Sequence, residues 1–162
     1  MVRASGRLLP SLAIAVCAAA CGPTVDLSTS LQVSDVATGW HDAGIVEGKN
    51  KLVPSVAFKL INASTEPLVA LQINAIFRRV GETEEWGSGW LAVSRAEPLE
   101  PGTSTALLTI RSERGYTGTE SRAEMLENRS FVDARVELFA KYGSTQWTRI
   151  TELQVDRQLS HR

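Results

Sequence analysis

The stretch Leu68-Val69-Ala70-Leu71-Gln72-Ile73-Asn74-Ala75-Ile76-Phe77-Arg78-Arg79-Val80 decides the fold class. Val69, Leu71, Ile73, Ala75 and Phe77 fall on one side of a period-two pattern; Ala70, Gln72, Asn74, Ile76 and Arg78 fall on the other. Successive side chains of a strand point to opposite faces, so the stretch reads as a strand with one face in a core. A helix competes for the same residues, but Asn74, the β-branched content and the flanking turns weigh against it. Residues 62–67, NASTEP, make the preceding turn. Residues 81–85, GETEE, close a hairpin into a second strand over 86–93.

The same alternation continues outward. Leu31, Val33 and Asp35 share one face of a first strand, and Val56, Phe58 and Leu60 one face of a strand over 53–62. Between them residues 39–51, GWHDAGIVEGKNK, read as a turn-rich loop with room for a short edge strand. Residues 105–111 form a strand after a loop with two prolines. In residues 131–141, Val132, Ala134, Val136, Leu138 and Ala140 point inward. In residues 146–156 the spacing of Trp147, Ile150, Leu153 and Val155 implies a bulge, and residues 159–162 read as a frayed tail. The polar stretch 112–130 interrupts the pattern; Ser121-Arg122-Ala123-Glu124 is a capping box and predicts a short helix over 122–128. About seven strands with hairpin-length connections and no βαβ unit predict an all-β, immunoglobulin-like antiparallel sandwich. A small closed barrel is the alternative.

The amino terminus reads differently. Arg3 and Arg7 precede an apolar run from Leu8 to Ala20, shorter than the roughly 20 residues a spanning helix needs. Small residues follow, as in a cleavable signal. Ala18-Ala19-Ala20-Cys21 resembles a bacterial lipobox, which implies a lipidated Cys21; Cys17, after the bulky Val16, is a poorer candidate. The alternative is an ordinary secretory signal that leaves Cys21 as a thiol. The expected organisation is a signal peptide at 1–20, a tether at 21–30 and a sandwich domain at 31–158. No aspartate follows Cys21, so an outer membrane is expected before an inner one.

The pattern Phe58-Lys59-Leu60-Ile61-Asn62, a Ser/Pro turn, Phe77, Gly81-Glu82 and Leu99-Glu100-Pro101-Gly102 resembles FxLYD-type and LEA14-like sandwich domains, many of them on bacterial lipoproteins. The resemblance covers residues 53–111 and implies a fold and an anchor; it brings no catalytic residues.

Removal of residues 1–20 leaves 15 of the 17 basic residues against 18 acidic ones, a formal charge of −3. That balance provides no electrostatic footprint for nucleic acid. Cys17 leaves with the signal, so no intramolecular disulfide is expected in the mature chain. Two histidines, His41 and His161, argue against a zinc site, and no metal or cofactor is expected. Trp40-His41-Asp42 is the only triplet that suggests an oriented imidazole, and no nucleophile elbow accompanies it, so the chain reads as a non-enzyme. The acids Glu82, Glu84 and Glu85 sit in a hairpin turn, where charge solvates the tip.

Two candidate sites remain. Trp86-Gly87-Ser88-Gly89-Trp90 places both indoles on one strand face, as a stacking platform for a glycan or small ligand or as core. The 112–130 connection is long for a compact domain, and its Arg114, Tyr116 and Arg122 are candidates for a protein partner; strand addition at a sheet edge is the other docking mode expected. The sequence thus leads to a lipid-anchored, extracytoplasmic binding or scaffold domain of a cell envelope. A module using Trp86 and Trp90 is the alternative.

Overall fold

The computed structural model of the chain describes residues 24–94 and 97–160. The signal stretch 1–20, Cys17, Cys21 and His161 lie outside the described residues. A single-turn helix, α1 (Leu27–Ser30), leads into β1 (Leu31–Val46) and β2 (Lys49–Asn62). Then follow β3 (Gln72–Arg79), β4 (Gly87–Ala92), β5 (Leu108–Arg111), β6 (Tyr116–Gly118), α2 (Arg122–Glu127), β7 (Ala134–Lys141) and β8 (Thr148–Gln154). All strand pairings are antiparallel.

One sheet runs β1–β2–β5, with β6 also paired to β2; the other runs β4–β3–β7–β8. This is the all-β antiparallel sandwich expected. Its core is the set of alternate side chains: Leu52, Val56, Phe58 and Leu60 from β2 face Ile73, Ala75, Phe77, Val136, Leu138 and Ala140, all within one buried cluster. Each fully buried aliphatic or aromatic side chain contributes about 1.5–3 kcal/mol, so the sheets adhere through these rows.

Several boundaries differ from the expectation, each for a local reason. Residues 39–51 are not a loop. They lie in a long β1–β2 hairpin, paired from Leu31↔Asn62 to Val46↔Lys49. Its turn is the two-residue Glu47-Gly48, with φ of 51° and 75°, the left-handed pair that matches strand twist. The other glycines in that stretch do different work. Gly44 (φ 84°) sits in a register shift between Asp42 and Ile45, and a Cβ on Gly39 would meet the carbonyl of Gln158 at 3.0 Å. The first residues of the 68–80 stretch turn, with Ala70 at φ 51°, before β3 begins. Residues 26–30, expected as part of a tether, fold with the domain: Asp26 caps α1 and Leu27 is 2% exposed. Val132 faces solvent. The bulge expected in β8 is present, as a shift from Leu138↔Thr151 to Phe139↔Arg149.

The tail is not frayed through residue 160. The Trp40 N–H donates to the Gln158 carbonyl (2.8 Å) and the Ser160 N–H to the Trp40 carbonyl (2.9 Å), a strap across the outer edge of β1. On the opposite flank β4 approaches β5. A Cβ on Gly89 would meet the Arg111 carbonyl at 2.5 Å, and a Cβ on Gly87 would collide with the Ser112 hydroxyl. Glycine at both positions is what lets the two sheets meet there.

Candidate functional site

The sandwich has two ends. At one lie the entering chain, the 62–67 turn, the Leu99–Gly102 segment and the turn after β7; at the other lie the β1–β2 hairpin tip, the β3–β4 turn and the 112–130 connection. The second end carries the candidates from the long connection.

That connection is fixed in place. The Ser121 hydroxyl accepts from the Glu124 N–H (3.3 Å), and the Glu124 carboxylate accepts from the Ser121 N–H (2.9 Å), so the capping box forms as the sequence implies. Arg122 pairs with Asp42 of β1. The Asn50 amide donates to the Glu120 carbonyl (2.7 Å) and Lys51 Nζ to the Glu113 carbonyl (3.2 Å). The carboxyl of Asp42 is held below its ordinary range, first by the Gly44 N–H and then by Arg122. Asp42 thus accepts from the Gly44 N–H on its own strand and pairs with Arg122 of the loop, and the neighbouring His41 adds to the lowering. His41 sits half-buried on β1, opposite Val53.

An aromatic cluster closes this end. Trp40, fully buried, lies 4.5 Å from Phe131 in a T-shaped pair, 5.7 Å from Tyr116 and 6.1 Å from Trp86. Tyr116 touches Trp86 and Phe131 at 4.9 and 4.7 Å. Guanidiniums cover two of the rings: Arg79 is 5.8 Å from Trp86, and Arg157 is 5.3 Å from Phe131. Arg157 also donates to the Phe131 carbonyl (2.9 Å) and pairs with Asp133 (2.8 Å).

The two tryptophans predicted as a platform are separated. Trp86 precedes β4 and its ring joins the cluster, so it is half-buried. Trp90 lies opposite Asn74 on the outer face of its sheet and is 55% exposed. Of the partner candidates, Tyr116 has its ring in the cluster and Arg122 is paired; Arg114 is the one whose side chain is exposed. The sequence reading missed the hairpin tip beside them, where Ile45 is 71% and Val46 42% exposed. The signal was Ile-Val beside a Glu-Gly turn, which lacks the commoner Asn-Gly or Asp-Gly pair. A shallow pocket of about 170 Å³ lies between β6 and α2, lined by Tyr116, Gly118, Glu120, Met125 and Phe131.

Other charged groups serve the fold. Glu82 pairs with Arg79 (2.9 Å). On the outer face of β3–β7–β8, Glu137 accepts from Arg78 (2.8 Å) and Arg149 (2.9 Å), and Glu152 bridges Arg149 and Arg135 at 3.1 Å each. Among the described residues no group of three or more His, Cys, Asp or Glu is arranged to hold a metal, and no helix is long and apolar enough to cross a membrane.

No protein-family model matches the chain, and no curated protein matches it. Among solved structures, one described as the X-ray structure of Northeast Structural Genomics Consortium target SoR45 is similar. It is 17% identical, with 80% of this chain and 89% of that chain covered and a TM-score of 0.44.

Proposed function

We propose that the chain is a lipid-anchored, extracytoplasmic binding or scaffold protein of a cell envelope, held by an acylated Cys21, that works by docking a protein partner and not by catalysis. The lipobox-like Ala18-Ala19-Ala20-Cys21 supports the anchor and the location, with an outer membrane preferred. The likeness of residues 53–111 to FxLYD-type and LEA14-like domains of lipoproteins supports the same reading. The observation that carries the docking is the built end of the sandwich. A long polar connection is fastened to β1 and β2 by side-chain bonds and leaves Ile45, Val46 and Arg114 exposed beside it. Fixed loops on a rigid scaffold lose little freedom on binding.

Photo-crosslinking in the native envelope tests it, with the reactive side chain placed at Ile45, Arg114 or Thr119, and at Thr65 on the other end as control. A discrete protein adduct from the first three and none from Thr65 is expected. No adduct from any of the three, or one from Thr65 alone, overturns the docking surface.

A second reading is favoured by the exposure of Trp90 alone: a glycan- or small-ligand-binding module with that indole as its stacking surface. Titration with envelope polysaccharide would then shift tryptophan emission in the wild type and not in Trp90→Ala.

A further inference from the structure

We infer that the domain stands on end at the bilayer, with the turn after β7 and Trp147 in the headgroup layer and the 112–130 connection farthest from it. The inference rests on the proposed acylation of Cys21 and deepens that reading.

Its ground is where the chain enters the fold. The Val25 N–H donates to the Tyr142 phenolic oxygen at 2.6 Å. Asp26 caps α1, Leu27 is buried, and the Ala63 N–H donates to the Ser30 carbonyl at 2.8 Å. The domain is therefore fastened from residue 25 onward. Three residues lie between Cys21 and Val25, so the four Cα steps span at most about 14 Å of extended chain. The headgroup layer on each side of the hydrocarbon is about 5–8 Å deep. A tether this short holds the entry end within or against that layer.

The groups around the entry suit such contact. Trp147 is 39% exposed and has Lys141 Nζ 4.9 Å from its ring; Val69 is 52% exposed. The Gly143 N–H donates to the Val69 carbonyl (3.0 Å), which places these residues on one surface. Tryptophan rings settle at the level of the headgroups, and a lysine stem can extend to the phosphates. Asp26, Glu66 and Glu100 lie at the same end, so attraction to anionic lipid is not what holds it there. The tether and the indole are. From this end β2 runs for 14 residues, which carries the hairpin tip about 45 Å outward.

The test uses the acylated protein in phosphatidylcholine vesicles that contain a nitroxide-headgroup lipid. Ser144→Cys, in the turn before β8, and Lys49→Cys, at the hairpin, are each labelled with a fluorophore; in acylated protein Cys21 is blocked. The label at position 144 is expected to lose most of its fluorescence and the label at position 49 almost none. An insert of about ten Gly/Ser residues after Pro23 adds about 16–19 Å of reach and is expected to restore much of the lost signal. Equal quenching at both positions, stronger quenching at 49, or no effect of the insert overturns the inference. Mass spectrometry of the amino-terminal peptide separates the two readings. Acyl chains with the wrong quenching pattern remove the stance alone, whereas their absence removes anchor and stance together.

Discussion

The Asn62 carboxamide directs both N–H donors at carbonyls, those of Glu66 and Leu99 at 2.8 Å each, while its oxygen accepts from the Ser64 N–H (3.0 Å) and hydroxyl (2.7 Å). The residue is fully buried, and its backbone closes the same junction through Thr103 and Gly102. An Asn62→Asp substitution turns a double donor into an acceptor facing two carbonyls. A buried polar group without its partner costs about 1–3 kcal/mol, more when charged. We expect urea unfolding to show a lower midpoint with an unchanged slope, a loss of about 2–3 kcal/mol. In the sequence Asn62 is legible only as a turn residue. Its burial is not, because Leu99 lies 37 positions away and composition alone places asparagine at the surface. The tryptophans fail for a related reason. Period-two reasoning assumes that both belong to one strand, and Trp86 stands one residue before β4, where the chain is free to turn its ring into the Trp40 cluster.

At the scale of elements, what is legible follows local chemistry. The capping box at Ser121 specifies α2 by itself, because donor, acceptor and spacing are all within one helical turn. Ser121→Ala is expected to cost about 1 kcal/mol. Faster amide exchange confined to 122–127, with β3 and β7 unchanged, would show that the cap acts locally. The core rows of β3 and β7 are legible because each strand has one wet face. The β1–β2 hairpin is not, because glycines at 39, 44 and 48 imitate a loop while serving a close approach, a bulge and a turn. The β4–β5 flank depends on a contact that no pattern announces. Gly89→Ala puts a methyl group 2.5 Å from both the Arg111 carbonyl and the Ile110 side chain. It is expected to destabilise by about 1–3 kcal/mol, measured by thermal melting, with a larger effect than Gly102→Ala gives through backbone strain alone.

For the molecule as a whole, the electrostatics set a direction with pH. The carboxyl of Glu137 is held below its ordinary range, first by the Arg78 hydrogen bond, with Arg149 adding to it. The Asp42 and Glu124 carboxyls are lowered as well, by Gly44 and Arg122 and by Ser121. Groups whose folded values are depressed stabilise the fold fully above the unfolded carboxylate range of about 4 and lose that contribution as pH falls through the folded values. The melting temperature is therefore expected to stay level from neutral pH to about 5 and to fall below about 4. Glu137→Gln should begin lower and fall less. The whole is arranged with its fixed loops at one end and its chain entry at the other, and Asn62 sits at the entry end. Asn62-Ala63-Ser64 is also a sequon that a eukaryotic secretory pathway would recognise before folding is complete. A sugar joined to the Asn62 nitrogen would occupy the space where the Glu66 and Leu99 carbonyls converge. Chains modified at Asn62 would be retained as misfolded, whereas those modified only at the second sequon, Asn128-Arg129-Ser130, whose asparagine is exposed, would be released, so the cell chosen for production decides how much native material is obtained.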